Sequence, residues 1–319
     1  MKVLVTGATG FVGRWLTAEL RAAGHEVVAT PPRTELDIQD VRGIASLLRS
    51  TLPDAVVHLA GLSFAPDALR DRQQAVSTNI GGTQSLFTAL AAAGSRAPVL
   101  VSGSADVYGS PDPADLPLRE DAPLLAEHPY GLSKLGQETT AVAGAARARS
   151  PLVVTRSFNH TGPGQRSEFV APALARRVLD ARLTGDRRIR TGNLGARRDF
   201  TDVRDVVRAY RLLLEWLVAE RPREPLVVNV ASGRSVSVGE LLGLIGAAAG
   251  VEPEAVVDPA LVRKGDPPEI VGDASRLHAL TGWSPEIPLE RTIADLVGSL
   301  DDSPSRAPAG VSRPNASPD

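Results

Sequence analysis

The segment VLVTGATGFVGRWL, residues 3–16, joins a short apolar run, a glycine-rich turn and an amphipathic stretch. Gly7, Gly10 and Gly13 have the spacing GxxGxxG. Glycine between a strand and a helix lets a diphosphate approach the backbone, and the free N–H groups of a helix N-terminus favour an anion there. The segment therefore predicts a strand, a dinucleotide-binding turn and a helix. Because the spacing differs from GxGxxG, turn chemistry without a ligand is the alternative interpretation.

The same strand-and-helix pattern repeats through the first half of the chain. Continuous apolar runs, typical of strands buried on both faces of a parallel sheet, alternate with stretches that have apolar residues at helical spacing. The runs are KVLVTG, EVVAT, AVVHLAG, PVLVSGS and PLVVTRS. We therefore predict the α/β class, with a doubly wound parallel sheet (Rossmann) and a smaller C-terminal α/β substrate lobe.

The composition changes after RSFNHTGPGQ, where Arg, Pro and Gly become more frequent. We expect a dinucleotide-binding domain at residues 1–158 and a substrate-binding lobe at 159–199 and 233–300. Residues from about 200–232, which include a helical stretch and the run PLVVNVASG, are expected to return to the first domain. The Pro- and Ser-rich segment at 301–319 predicts a disordered tail.

Composition limits the classes of function. The 319 residues have a formal net charge of -2, so no strong field attracts nucleic acid or anionic lipid. Cysteine is absent, and the five histidines lack the spacing of a metal-binding motif such as HExxH. The N-terminus shows no targeting segment, and no apolar run reaches the ~20 residues of a bilayer span. We expect a cytoplasmic protein without a metal, nucleic-acid partner or membrane partner.

The segment EHPYGLSKLGQE places one of only three lysines, against 32 arginines, four residues after Tyr130. On a helix, Tyr130 and Lys134 share one face, and a nearby ammonium lowers the pKa of a phenol. Ser104, in LVSGSADVYG at the end of a run, can donate a hydrogen bond to a carbonyl that becomes an alkoxide. Each residue alone has an ordinary structural explanation. Together they predict an acid–base site.

The residues at the end of the second apolar run help to distinguish NAD from NADP as the cofactor. NAD requires an acid there for the ribose 2′-hydroxyl, whereas an Arg suits the 2′-phosphate of NADP. The segment EVVATPPRTELD offers Thr30 and Arg33 and no acid at the strand end. We therefore expect NADP(H) to be preferred, with NAD(H) possible. An exposed arginine without a ligand is the alternative for Arg33.

The motifs TGATGFVG, VVHLAG, VSTNIGGT, SGSADVYG and YGLSK, in this order, resemble the extended short-chain dehydrogenase/reductases, which include nucleotide-sugar epimerases, dehydratases and reductases. The resemblance covers about residues 1–300. It implies that Ser104, Tyr130 and Lys134 form the catalytic triad and that the protein is a homodimer. It also implies a set of cofactor-binding residues: Gly7, Thr9, Gly10, Phe11, Val12, Gly13, Arg33, Asp37, Ile38, Leu59, Ala60, Gly61, Asn79, Ser102, Tyr130 and Lys134.

Three further segments are most similar to GDP-4-keto-6-deoxy-D-mannose reductases: RSFNHTGPGQRSEFV, GNLGARRDFTDVRDVVRAYRLLLE and VGDASRLHALTGWSPEIPLERT. The resemblance implies that a nucleotide sugar contacts Ser104, Asp106, Asn159, Val170, Arg198, Arg263 and Glu269. A forked guanidinium suits a diphosphate, although surface charge also explains the two arginines. Related dehydratases have Thr and Glu where this chain has Ser104 and Asp106. The shorter acid favours a reductase.

The expected reaction is therefore the NADPH-dependent reduction of the C4 ketone of a nucleotide-linked 4-keto-6-deoxyhexose. The nucleotide, GDP or dTDP, stays open, as does the stereochemistry at C4. A nucleotide-sugar 4,6-dehydratase or 4-epimerase that retains NAD(P) is the alternative within the enzymes. A non-catalytic dinucleotide-binding regulator is the alternative outside them, since a fold does not determine a function.

Overall fold

The computed structural model describes residues 1–262 and 265–302. Its strands are β1 (Lys2–Thr6), β2 (Glu26–Ala29), β3 (Ala55–His58), β4 (Val99–Ser102), β5 (Leu152–Ser157), β6 (Asn159–Thr161), β7 (Arg188–Thr191), β8 (Arg197–Asp202), β9 (Leu226–Val230), β10 (Ser235–Ser237), β11 (Glu254–Val257) and β12 (Glu269–Ile270). Its α-helices are α1 (Phe11–Ala22), α2 (Val41–Thr51), α3 (Ala65–Arg70), α4 (Arg72–Ala75), α5 (Gly82–Ala92), α6 (Pro129–Ala148), α7 (Val170–Thr184), α8 (Val203–Glu220), α9 (Val238–Ala249), α10 (Ser275–Thr281) and α11 (Leu289–Asp301).

A six-stranded parallel sheet in the order β2-β1-β3-β4-β5-β9 organises the first part of the molecule. The predicted doubly wound α/β class is confirmed. Strands β3 and β5 are buried along their whole length, as their continuous apolar runs predicted. The strand order reverses between β1 and β3, and ligands of such sheets bind at the carboxyl ends of strands beside this reversal.

Helices cover both faces of this sheet. On one face α1 and α8 pack over it, with Leu16 and Leu213 fully buried. On the other face α2, α5 and α6 bury residues such as Leu48 and Leu90. The helix starts follow local chemistry, since the Asp40 carboxylate accepts hydrogen bonds from two N–H groups of the first turn of α2. The two apolar layers hold the carboxyl ends of the strands in fixed positions.

The smaller part of the molecule is built around β8. Strand β10 pairs with it antiparallel, and β12 and β6 pair with it parallel. Strands β7 and β11 form a separate pair. Helices α7, α9 and α11 pack together around a third apolar cluster that includes Val178, Ile245 and Leu296. We keep residues 159–199 and 233–300 as a proposed substrate-binding lobe, with α8 and β9 packed on the first sheet.

Two findings concern what the described residues lack. Within 1–262 and 265–302, no helix combines the length and apolar character that a membrane crossing requires. In the same residues, no group of three or more His, Asp or Glu is arranged to hold a metal ion. Of the predicted tail at 301–319, Asp301 is the last residue of α11, and 303–319 lie outside the described residues.

Candidate active site

The glycine turn lies between β1 and α1, against the residues that follow β3. Gly7 has a φ of +69°, and a Cβ added to it would lie 2.8 Å from the backbone nitrogen of Ala60. A Cβ on Gly13 would lie 2.2 Å from the carbonyl oxygen of Gly7. Gly10 precedes α1 without a side-chain cap, so N–H groups of the first turn are available to an anion. The turn therefore fits the diphosphate of a dinucleotide.

Residues 59–61, the segment that follows β3, lie beside the glycine turn. A Cβ on Gly61 would lie 2.9 Å from Oδ1 of Asn79. Asn79 is buried, and its side chain accepts a hydrogen bond from the backbone nitrogen of Leu62 at 2.8 Å and donates one to Oγ of Ser133 at 2.9 Å. The side chain of Asn79 thus joins the segment after β3 to α6.

The other residues expected at the start of the cofactor cleft surround the same turn. Thr9 is exposed within it. Phe11 stacks on His160, with ring centroids 6.2 Å apart and an interplanar angle of 9°. Val12 packs against the apolar cluster under α1 and α8. Thr9 is therefore open to a ligand, whereas Val12 contributes to the core.

After β2, Arg33 and Asp37 pair with each other. Nε of Arg33 donates to a carboxylate oxygen of Asp37 at 2.9 Å, and the Arg33 side chain is 59% exposed. The pKa of Asp37 is lowered, first by the backbone N–H of Gln39 and then by Arg33. Ile38 is buried, and a Cβ on Gly82 would lie 2.8 Å from its Cγ2. Arg33 and Asp37 remain on the surface beside the strand end, where a 2′-phosphate of NADP would be recognised.

Tyr130, Lys134 and Ser104 meet at the carboxyl end of β4. Tyr130 and Lys134 lie one turn apart near the start of α6, and both are almost fully buried. Ser104 is also buried, and its side chain is close enough to the phenol of Tyr130 to favour the phenolate. Oγ of Ser104 accepts a hydrogen bond from the backbone nitrogen of Asp106 at 3.2 Å, which caps the turn Ala105–Tyr108. The structure therefore places Tyr130 and Lys134 on one helix, as their spacing predicted, with Ser104 in the segment that follows β4, and their assignment as a catalytic triad stays a prediction.

The electrostatics of the site differ from the expectation in one respect. Burial raises the pKa of Tyr130, the negative charge of Asp106 raises it further, and the nearby side chain of Ser104 lowers it. The expectation that Lys134 lowers the pKa of Tyr130 is therefore wrong for this structure: the pKa is raised, because burial disfavours the phenolate, and Lys134 is not among the groups that shift it. Burial also lowers the pKa of Lys134 to about 8, while Asp106 raises it. Tyr130 is therefore a protonated donor at neutral pH, and the ammonium of Lys134 is held against a desolvation cost.

The ammonium of Lys134 has two neutral acceptors. It donates to the carbonyl oxygen of Ser102 at 2.7 Å and to Oε1 of Gln137. The hydroxyl of Ser102 instead contacts the Tyr210 hydroxyl at 3.1 Å. Gln137 was not among the residues selected from the sequence. Its position three residues after Lys134, on the same helical face, was the available signal.

Most residues expected to contact the substrate lie near the small sheet around β8. Asn159 opens β6 and is exposed, Val170 opens α7 and is exposed, and Glu269 opens β12. The guanidinium of Arg198, on β8, donates to the carbonyl oxygen of Pro267 at 3.0 Å and pairs with Asp266.

Arg198 is therefore already neutralised, so a diphosphate would compete with a carboxylate for it. Arg263 lies outside the described residues. Asp106, from the loop after β4, is half exposed and lies 3.9 Å from Nε2 of His128, which caps the start of α6. The same two residues, Asp106 and His128, therefore sit at the mouth of the buried triad.

Comparison with known proteins places the chain among nucleotide-sugar enzymes. Residues 3–231 match the model of the NAD dependent epimerase/dehydratase family. The chain is 36% identical over 303 residues to the GDP-6-deoxy-D-mannose reductase of Pseudomonas aeruginosa, covering 94% of this chain and 97% of that relative.

Similar solved structures include the following two. That of RMD from Pseudomonas aeruginosa in complex with NADPH has a TM-score of 0.84 at 35% identity, covering 93% of this chain and 98% of that one. That of the UDP-glucose-4-epimerase of Stenotrophomonas maltophila with bound NAD and formylated UDP-arabinopyranose also has a TM-score of 0.84, at 26% identity, covering 94% and 98%. The similarity in both cases extends over nearly the whole chain.

Proposed function

The chain belongs to the NAD dependent epimerase/dehydratase family, and from this premise we propose that it reduces the C4 ketone of a nucleotide-linked 4-keto-6-deoxyhexose with NADPH. The family is one of NAD(P)-dependent enzymes that modify nucleotide sugars. The observation that carries the proposal is the burial of Tyr130 and Lys134 one helical turn apart, with the buried side chain of Ser104 acting on the phenol and the Lys134 ammonium bonded to the carboxyl end of β4. The bound NADPH of one similar structure supports the choice of cofactor.

The residues of this chain divide the chemistry among them. NADPH, when bound, supplies a hydride. The glycine turn would hold its diphosphate, and Arg33 would hold its 2′-phosphate. Tyr130 is protonated at neutral pH and donates its proton to the oxygen of the C4 ketone. Ser104 donates a hydrogen bond to the same oxygen, and Lys134 places positive charge beside the phenolate that Tyr130 becomes.

The nucleotide part of the substrate is bound away from the reacting carbon. We propose that residues of the smaller lobe, among them Asn159 and Arg198, hold it, which turns binding energy into correct placement of the ketone. The relative with bound formylated UDP-arabinopyranose supports a nucleotide sugar as the ligand class. We leave GDP and dTDP as alternatives, and we propose a homodimer, for which light scattering would give twice the chain mass of 33.5 kDa.

The assay that tests the proposal mixes the purified protein with NADPH and either GDP-4-keto-6-deoxymannose or dTDP-4-keto-6-deoxyglucose. We expect loss of NADPH absorbance with at least one sugar and none with the Tyr130→Phe variant. The product is identified by mass, which rises by two hydrogens. No NADPH oxidation with either sugar would overturn the proposal.

One observation supports a second candidate, a 4,6-dehydratase or 4-epimerase with retained dinucleotide. The charge of Asp106 acts on both Tyr130 and Lys134, so an acid is available at the position where related dehydratases have one. Such an enzyme needs no external hydride. Release of NAD(P) on denaturing the purified protein, together with turnover of an unreduced GDP- or dTDP-hexose without added cofactor, would favour this candidate.

A further inference from the structure

A chain of buried hydrogen bonds joins Lys134 to strand β3. The ammonium of Lys134 donates to Oε1 of Gln137, and Nε2 of Gln137 donates to Oγ1 of Thr83 at 3.2 Å. Oγ1 of Thr83 lies 3.0 Å from Nε2 of His58, and Nδ1 of His58 lies 2.8 Å from Oγ1 of Thr6. All five side chains are buried. The chain thus crosses from α6 through α5 to the strands β3 and β1.

The hydrogen atoms of this chain can be assigned from its contacts. The hydroxyl of Thr83 donates its one hydrogen to the carbonyl oxygen of Asn79 at 2.7 Å. Thr83 therefore accepts from both Gln137 and His58, and Nε2 of His58 must carry a hydrogen.

The far end of the chain is equally determined. Oγ1 of Thr6 accepts a hydrogen bond from the backbone nitrogen of Ala60 at 3.2 Å and lies 2.8 Å from Nδ1 of His58. Because Nε2 carries the single hydrogen of a neutral imidazole, Nδ1 accepts the hydrogen of the Thr6 hydroxyl. Burial, and then the charge of Lys134, lowers the pKa of His58 to about 3. His58 is therefore a neutral imidazole of one tautomer, because each of its nitrogens has a defined partner.

This pattern determines the orientation of the Gln137 amide. With Thr83 unable to donate to it, the amide must present its NH2 group to Thr83 and its oxygen to Lys134. The reverse orientation would place two donors against each other at the ammonium. An amide does not pass a proton along a series of hydrogen bonds. This series therefore holds Lys134 in place and is not a proton relay.

The groups around Lys134 show why the acceptor oxygen of Gln137 matters. The titratable groups that interact with it are Asp106, whose negative charge raises the pKa of Lys134, and His58 on β3, whose pKa the ammonium lowers. Tyr130 lies one turn earlier on the same helix, and the Tyr210 hydroxyl contacts the hydroxyl of Ser102. Asp106 is half exposed, whereas Lys134 is buried. Besides the charge of Asp106, the buried ammonium is therefore stabilised by the two neutral acceptors that it contacts directly, the carbonyl oxygen of Ser102 and Oε1 of Gln137.

We propose that Gln137 is a positioning residue for Lys134, that it keeps the ammonium charged and aimed along the cofactor cleft, and that Thr83 and His58 hold Gln137 in the required orientation. The inference deepens the proposed function and rests on it in assigning Lys134 a catalytic role. The hydrogen-bond chain can be tested without any substrate.

The presence of only three lysines makes a direct measurement practical. The protein is labelled with lysine that carries ¹³C at Cε and ¹⁵N at Nζ, and the Lys134 signal is assigned by its loss in Lys134→Met. Its titration midpoint is then followed by NMR. In Gln137→Met we expect the midpoint to fall by about one pH unit, because a buried ammonium loses an acceptor. In Gln137→Glu we expect it to rise, because a carboxylate stabilises the ammonium.

The matched control is Gln84→Met, which makes the same change at the exposed residue that follows Thr83. Its Lys134 midpoint should equal that of the wild type. If Gln137→Met does not fold, Gln137→Asn replaces it, since the shorter amide cannot reach the ammonium and should also lower the midpoint. An unchanged midpoint in the folded variant would overturn the proposal.

Kinetics provide a second readout where a keto sugar is turned over. The alkaline limit of kcat/KM should move to lower pH in Gln137→Met in step with the NMR midpoint, which a purely structural defect would not cause. If no keto sugar is reduced by the wild type, the proposed function fails. The NMR midpoint still decides whether Gln137 holds Lys134.

Discussion

Nζ of Lys134 donates a hydrogen bond to the carbonyl oxygen of Ser102 across 2.7 Å. The bond joins α6 to the last residue of β4. Ser104 follows two residues after Ser102, and Tyr130 precedes Lys134 by one helical turn. The carbonyl oxygen of Ser102 therefore helps to set the distance between the hydroxyl of Ser104 and the phenol of Tyr130. This is separate from the proposed effect of the ammonium's positive charge.

Replacing Lys134 by Met should change how stability depends on pH. Burial lowers the pKa of Lys134 to about 8 from 10.5, so the folded protein binds fewer protons than the unfolded chain between these values. The free energy of unfolding of the wild type therefore rises with pH in that window, by up to about 3 kcal/mol relative to Lys134→Met. Urea unfolding at about pH 7.5, 9 and 10.5 measures the difference. Parallel pH dependences would contradict the prediction.

Tyr130→Phe should lower turnover of the keto sugar by roughly 10²- to 10⁴-fold, because the variant lacks the proton donor. The ring remains and fills the same buried space, so the fold should persist. Affinity for NADPH, measured by fluorescence titration, should change by less than about threefold, because the glycine turn that would hold the diphosphate is unaltered. A loss of turnover below about tenfold would show that another group donates the proton.

Ser104→Ala should lower kcat by about 10²- to 10³-fold, through loss of the hydrogen bond to the reacting oxygen. The substitution also removes the acceptor for the backbone nitrogen of Asp106, at a cost in stability of about 1 kcal/mol. Ser104→Thr retains the hydroxyl and separates the two effects. Steady-state rates and thermal unfolding of both variants are the measurements. An active Ala variant would exclude Ser104 from catalysis.

Arg33→Ser should raise the KM for NADPH by about tenfold and leave that for NADH nearly unchanged, because a charge-assisted bond to the 2′-phosphate is lost. Arg33 is exposed and held by Asp37 alone among the ion pairs of the described residues, so the fold should not change. Asp37→Asn, which frees Arg33, is the companion variant and should retain the preference for NADPH. Equal effects of Arg33→Ser on both cofactors would contradict the proposed preference.

The fold, and the placement of Tyr130 and Lys134 on one helix, were predictable for a physical reason. A run such as AVVHLAG predicts a buried parallel strand, because both faces of such a strand are covered by helices and must be apolar. Tyr130 and Lys134 are four residues apart, and helical geometry converts that spacing into proximity.

The electrostatics were not predictable in the same way. The pKa of Tyr130 depends on how deeply the phenol is buried, and the spacing of Tyr130 and Lys134 contains no information on depth. The role of Gln137 depends on Thr83 in α5 and His58 in β3. Their hydrogen bonds with Gln137 join separate elements and cannot be predicted from sequence spacing. The pairing of Arg198 with Asp266 likewise depends on contacts across separate strands.

His58→Gln should make the protein less sensitive to acid. Burial lowers the pKa of His58 from 6.5 to about 3, so the unfolded chain binds a proton between these values that the folded protein does not. The free energy of unfolding of the wild type therefore falls as pH decreases through this window, by about 1.4 kcal/mol per pH unit from this group. The variant lacks this contribution, although at neutral pH it is less stable by about 1–3 kcal/mol because the bonds to Thr6 and Thr83 are disturbed. Urea unfolding at about pH 7, 6 and 5 measures both effects, and the two stability curves should converge as the solution becomes more acidic. Curves that stay parallel would mean that His58 takes up a proton in the folded state. The donor and acceptor roles assigned to the hydrogen bonds from His58 through Thr83 to Gln137 would then be wrong.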